Sequence, residues 1–387
     1  MSRKLLLWAL VAFTSKAPVA MAPLALVFSS RQSPAGYSLG ASLASAYVVG
    51  EVVGAPLLGS RLSRSRMKPQ LSVGLLAGAL AFGALPFVRS APAPVLIGLA
   101  FLAGAAPAAS PGGIRAILTR LVTDESVPRA LSAETTLTQI TWAAAPGLVV
   151  LLALQVHAGA PLMLGALLAA AASILVLRLP EPPELESATS AVASMTRTLF
   201  SGWPVYLTSA ASMAMLATAE LVLPALLEER QVAVGWSAPL LAGFALASAA
   251  GAVCYGLRTW PGSVQAQSLV FLTAMAGCLV LVTVLPGMPG IAAGLLLAGI
   301  FQSGVMVTRN LSLRERLPAR AHAAAYSVMY AVGGLGYSLA ASFSAMALNL
   351  ASPSAAILGG VAITVLITAV SAIAERNSVG NAIRGFR

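Results

Sequence analysis

The chain has 387 residues, of which 58% are hydrophobic and only 9% charged, and its mean hydropathy is +0.88. A water-soluble domain carries about 25% charged residues, so a water-covered globule is excluded, and a membrane barrel would need alternating segments of about 10 residues that are not found here. The net charge of +11 does not mark a nucleic-acid binder, because the basic residues fall in short segments between long apolar runs.

Those runs are each roughly 20 residues long, enough to cross about 30 Å of hydrocarbon as a helix. Taken in order, the first six spans are 5–28, 39–60, 70–88, 93–119, 131–156 and 160–179. Arg3-Lys4 followed by an apolar run through Ala20-Met21-Ala22 imitates a secretory signal. The run continues to Phe28 and further spans follow, so it is read as an uncleaved first helix. A polar stretch from Pro180 to about Thr198 carries Glu181, Glu184 and Glu186 beside Pro182 and Pro183, the composition of a linker. The second six spans are 201–227, 238–257, 265–285, 290–308, 323–348 and 354–374. This predicts an all-α polytopic membrane protein with twelve transmembrane helices, in halves 1–179 and 201–387 joined by a cytoplasmic linker at 180–200.

Orientation follows from the basic residues. With the N-terminus inside, the inner loops and tails hold 18 Lys and Arg and the outer loops hold three, Arg31, Arg89 and Arg230. Short cytoplasmic loops are enriched in Lys and Arg, so both termini are expected in the cytoplasm. Lys16 and Arg115 are the two basic residues placed inside spans. The ratio of 20 Arg to 3 Lys, with abundant Ala, points to a GC-rich bacterial genome and hence to a bacterial cytoplasmic membrane.

Two local patterns recur half a chain apart. Gly54-Ala55, then Gly59-Ser60-Arg61, closes the second span, and Gly251-Ala252, then Gly256-Leu257-Arg258, closes the eighth, 197 residues later. Val127-Pro128-Arg129-Ala130 opens the fifth span, and Leu317-Pro318-Ala319-Arg320-Ala321 opens the eleventh. Six spans, a linker and six spans with these echoes resemble the major facilitator superfamily over most of the chain. That resemblance implies two pseudo-symmetric six-helix bundles with a substrate site between them near the midplane. The loop after the second span is similar to the family's signature there. Gly59, Arg64 and Lys68 can be matched, whereas Ser63 stands where the family has an acid, and no Asp or Glu occurs between Glu51 and Asp124. The family's electrostatic latch is therefore expected to be altered or missing, leaving Gly59, Arg64, Lys68 and the echoed Arg258 as inner-gate candidates. Pro146-Gly147 resembles, in reversed order, the Gly-Pro motif of the drug/proton antiporter branch. The mid-helix arginine of that branch has no counterpart between Leu96 and Ala109.

Ionisable groups within a bilayer are costly and therefore functional candidates. Lys16 lies 12 residues past Lys4, about 18 Å into the membrane, and Glu51 lies 10 residues before Arg61, about 15 Å from the same face. Matching depth on adjacent helices predicts either a coupling site, in which Glu51 carries a proton and Lys16 tunes it or binds an anionic group, or a fixed Lys16–Glu51 ion pair. Glu220 is a third proton-coupling candidate, set against the plainer reading of a helix-end group open to solvent. Arg115 and Glu134 are read as a structural clasp at the inner leaflet, with Arg115 also able to snorkel to the interface. Gln139, Trp142, Met213, Met215 and Tyr330 are candidates for an apolar, adaptable substrate cavity, although such residues more often serve packing. Gly50 and Gly54, spaced by four, are read first as packing, and Pro107, Pro111, Gly112 and Gly113 as a kink or close helix contact.

There is no Gly-x-x-x-x-Gly-Lys-Ser/Thr loop, which disfavours an ATP-driven pump. The chain contains one Asp and two His, His157 and His322, too few for an interfacial enzyme centre or a metal site. Cys254 and Cys278 are read as free thiols. No cofactor and no metal are expected. The expected function is proton-coupled export of a small, partly hydrophobic compound by a monomer in the lipid bilayer. The alternatives are uptake of a metabolite and a non-transporting membrane receptor or scaffold.

Overall fold

A computed structural model of the chain describes residues 3–30, 36–62, 66–180 and 195–384. Ser63, Arg64 and the acidic part of the linker lie outside these described residues. Among them there are no strands, and a helix stands at every one of the twelve expected spans. The protein is an all-α polytopic membrane protein.

The first helices are α1 (Arg3–Ser30), α2 (Gly36–Arg61) and α3 (Met67–Ala84). The fourth expected span is broken into α4 (Ala93–Ala105) and α5 (Ser110–Leu121). The break has a local cause. Pro107 offers no N–H and its ring clashes with the preceding turn, so the chain passes through a tight turn before Pro111 restarts the helix in its first turn. Next come α6 (Val127–Gln155), α7 (Ala160–Leu177) and the short α8 (Met195–Phe200). The last six are α9 (Trp203–Glu229), α10 (Ser237–Leu257), α11 (Val264–Val284), α12 (Gly287–Arg316), α13 (His322–Leu350) and α14 (Pro353–Arg384). Eleven spans, α4 and α5 counting as one, are long and apolar enough to cross a membrane. The one span not among them, α3, opens on Met67-Lys68-Pro69-Gln70, and these polar residues dilute an otherwise apolar helix.

The chain folds as two compact units. The first comprises Met1–Met195 together with Ala319–Ala331, the segment that opens α13. Here α1 packs against α2, α5, α6 and α7, while α3 packs against α4 and α7. The Trp8 indole N–H donates to the Ile114 carbonyl at 2.9 Å, tying α1 to α5. A core of Met21, Leu26, Tyr47, Phe82 and their neighbours is closed to solvent, with the Tyr47 and Phe82 rings 5.8 Å apart. The second unit comprises Thr196–Pro318 and Val332–Arg387. In it α12 packs on α10 and α11, and α14 on α9 and α11.

The echoed glycines do the same work in each unit. A Cβ on Gly54 would sit 2.8 Å from the Cα of Ala105, and one on Gly251 would sit 2.9 Å from the Cα of Ile300. Each glycine therefore lets α2 approach α4, or α10 approach α12, backbone to backbone. Gly50 belongs to the same contact, since its Cβ would lie 3.0 Å from the Ala105 nitrogen. Gly54→Leu is expected to force these helices apart and to destabilise the first unit by about 1–3 kcal/mol, the usual cost of overpacking. Thermal unfolding in detergent measures this, and an unchanged midpoint would show that the contact is dispensable.

Candidate functional site

The first unit buries a three-residue charge cluster. Lys16 on α1 is 8% exposed, Arg115 on α5 9% and Glu134 on α6 1%. Arg115 donates from Nε to Oε2 of Glu134 at 3.1 Å and from Nη2 to Oε1 at 2.9 Å, a forked pair that fixes both planar groups. The Lys16 ammonium donates to the same Glu134 Oε1 and to Thr138 Oγ1. Thr138 sends its own proton to the Glu134 carbonyl at 2.8 Å, which turns its lone pairs towards the lysine. The Arg115 guanidinium also lies 5.5 Å from the ring centroid of Tyr326, close enough for a cation–π contact.

Two glycines place this arginine. A Cβ on Gly112 would come within 2.7 Å of the Ser327 nitrogen, and one on Gly113 within 2.8 Å of the Leu71 methyls. Only residues without a side chain let α5 enter here, and Arg115 follows two residues after Gly113.

Beside this cluster, Glu51 on α2 has a different environment. Tyr47, one turn earlier on the same helix, donates to Glu51 Oε1 at 3.2 Å, and Tyr330 of α13 donates to the same oxygen at 3.3 Å. Among the described residues no cation pairs with this carboxyl group. The Lys16–Glu51 pair expected from matching depth does not form. Depth along a helix says nothing about azimuth, and Lys16 is turned towards α6, where Glu134 already holds Arg115. The Arg115–Glu134 contact does form, but both partners are buried, so Arg115 does not snorkel to an interface.

Within the second unit, Tyr337 donates to Oε2 of Glu220 at 2.9 Å, so Glu220, like Glu51, is held by a phenol. Met213 packs against Gly333, whose Cβ would lie 3.3 Å from the methionine Cγ. Met215 is closed to solvent and lines an apolar crevice of about 260 Å³ with Leu272, Thr364 and Thr368. Gln139 and Trp142 stand on α6 in the first unit, Trp142 with 46% of its surface exposed. The cavity candidates therefore divide between the units, with Gln139, Trp142 and Tyr330 in the first and Met213 and Met215 in the second.

Of the inner-gate candidates, Gly59 closes α2 against α13, where its Cβ would stand 2.7 Å from Ser327 Oγ. Lys68 donates to the Leu179 carbonyl at 3.1 Å, which ties the start of α3 to the end of α7. Arg258 ends α10 exposed, and Arg64 lies outside the described residues.

Sequence reasoning missed two residues of weight. Tyr47 stands four before Glu51, the spacing that puts both on one helix face, and that signal was available. Arg309 was counted as an inner-loop residue because its span was closed at 308. The helix instead runs on to Arg316 and buries Arg309 at 1% exposure, where it donates to Ser268 and Thr208 hydroxyls.

The arrangement separates two kinds of carboxylate. Glu134 is committed to two cations and cements α1, α5 and α6. Among the described residues Glu51 and Glu220 have hydroxyl partners only, so a proton can be added or removed without breaking an ion pair.

The family model of the Major Facilitator Superfamily matches residues 5–341. Comparison with curated proteins finds no match. Among solved structures, the human organic anion transporter MFSD10 (TETRAN) is similar at a TM-score of 0.73 and 15% identity, covering 95% of this chain and 98% of its own. The E. coli fucose:proton symporter FucP gives a TM-score of 0.74 at 14% identity, covering 95% of this chain and 98% of its own. A bacterial homologue of the iron transporter ferroportin, in an outward-facing state, gives 0.74 at 15% identity, covering 96% of this chain and all (100%) of its own. At such low identity these likenesses concern the fold.

Proposed function

This chain belongs to the Major Facilitator Superfamily, and from that premise we propose that it is a secondary active transporter coupling the passage of a small molecule to protons. In this reading two six-helix halves, 1–179 and 201–387, alternate access to a shared substrate, with 180–200 as their linker. The observation that carries the coupling is Glu51, a membrane carboxyl group held by Tyr47 and Tyr330 and by no cation among the described residues. Glu51 takes up and releases the coupling proton. Lys16 serves it only indirectly, by anchoring α1 to α6 through Glu134. Glu220, held by Tyr337, is the second proton-binding candidate.

The direction we propose is export of a small, partly hydrophobic compound. Its support is the likeness of Pro146-Gly147 to the Gly-Pro motif of drug/proton antiporters and the mix of Gln139, Trp142, Met213, Met215 and Tyr330 available to line a tolerant site. We propose further that it is a monomer of a bacterial cytoplasmic membrane with both termini inside. Moving Arg309 from loop to helix interior leaves 17 inner against three outer basic residues, so the orientation argument is unaffected. In place of the family's acid-based latch, the inner gate rests on the close approach of Gly59 and Gly112 to Ser327.

Everted membrane vesicles acidified inside are expected to accumulate substrate, because protons leaving the lumen drive exchange in that orientation. A panel of lipophilic cations and dyes supplies the substrates. Accumulation only in right-side-out vesicles acidified outside would show uptake instead. No response to a pH gradient in either orientation would overturn proton coupling.

A further inference from the structure

The turn after α3 and the turn between α6 and α7 come together in the first unit and enclose a groove of about 790 Å³. Its walls are largely apolar, formed by Phe87, Met163, Leu164 and Leu167. Phe87 is 77% and Leu167 66% exposed, so this apolar surface is uncovered. At its head stand Arg89 and His157. His157 Nδ1 accepts from the Gly159 backbone N–H at 3.1 Å and from Arg89 Nη2 at 3.3 Å, so this ring nitrogen is the acceptor and the ring brings no charge that neutralises the arginine.

The Arg89 Nε is shielded from solvent and has no hydrogen-bond partner among the described residues. No described carboxylate pairs with Arg89 either. The N-terminus of α7, an 18-residue helix, opens at Ala160 in the same groove and adds partial positive charge there. A guanidinium that meets no carboxylate among the described residues, at the head of an apolar trough, calls for an occupant with an anionic head and an apolar tail.

We propose that this groove binds an anionic phospholipid, with its phosphate on Arg89 and an acyl chain along Leu164 and Leu167. The planar guanidinium suits phosphate oxygens, and the exposed Leu167 with the half-buried Leu164 gives the chain a surface that a free anion would leave bare. The site is separate from Glu51 and does not depend on the direction of transport.

The test is thermal unfolding of the purified full-length protein in neutral detergent, titrated separately with phosphatidylglycerol, phosphatidylcholine and inorganic phosphate. Phosphatidylglycerol alone is expected to raise the unfolding temperature. Arg89→Gln should need at least about tenfold more of it for the same shift, as expected for loss of a charge-assisted contact. Arg89→Lys, which keeps the charge, should recover part of the response. Independently of any variant, the wild-type protein taken from vesicles of equal phosphatidylglycerol and phosphatidylcholine should retain the former in native mass spectra. Equal responses to the two lipids, a matching shift with inorganic phosphate, or an undiminished response in Arg89→Gln would each overturn the proposal.

Discussion

Glu134→Gln is expected to lower the stability of the protein by about 3–5 kcal/mol, because it strands two buried cations at once. Lys16 and Arg115 are each less than a tenth exposed, and Glu134 is the carboxylate both of them bond. An amide keeps the shape and one acceptor oxygen but supplies no charge, so both cations would lose their counter-ion in a medium that solvates them poorly. Proteins are held folded by only about 5–15 kcal/mol, so the loss is a large part of the total. Lys16→Met is expected to be much milder. It removes one cation, fills most of its volume and leaves the forked Arg115–Glu134 pair intact with a net charge of zero. Unfolding in detergent ranks the two variants. If Lys16→Met proves as damaging as Glu134→Gln, the lysine rather than the carboxylate is the keystone of the cluster.

That ranking could not have been written from sequence, and the reason is geometric. Apolar runs and prolines placed every helix start and most helix ends within a few residues, because span length and missing N–H groups act locally, but α12 and α14 run on well past their expected ends at 308 and 374. Even the break at Pro107 was signalled, as was the packing at Gly54 and its echo at Gly251. Partners across the bundle are another matter. Lys16 and Glu134 are separated by 118 residues, and Glu51 and Tyr330 by 279. Depth within a span can be counted, but the rotation of one helix about its axis is set by packing with all its neighbours. Matching depth therefore paired Lys16 with the wrong acid. Tyr330 was singled out as a cavity residue, yet nothing in its neighbourhood announced a bond to Glu51. Arg309 shows a related limit, since a basic residue at a span end reads as cytoplasmic whether it faces water or, as here, the hydroxyls of Thr208 and Ser268.

Once the charged residues are sorted by partner, the functional question narrows to Glu51 and Glu220, the mid-span carboxyl groups that pair with no cation among the described residues. Glu51→Gln is expected to abolish accumulation driven by a pH gradient in proteoliposomes, by at least about tenfold, since a membrane carboxyl with a coupling role has few substitutes. The variant is well suited to the test. Tyr47 and Tyr330 both donate to Oε1, and an amide oxygen in that place still accepts from both, so α2 and the start of α13 keep their contact. Only the exchangeable proton is lost. Gradient-free exchange of substrate across the membrane should therefore persist, and the unfolding temperature should stay near that of the wild type. Tyr330→Phe removes one donor and leaves the carboxyl group titratable, so it should shift the pH dependence of transport without abolishing coupling. Glu220→Gln separates the two phenol-held acids, with the smaller loss expected there if Glu51 carries the proton. An unchanged response to the pH gradient in a stably folded Glu51→Gln protein would remove Glu51 from the mechanism and leave Glu220 as the proton site to examine.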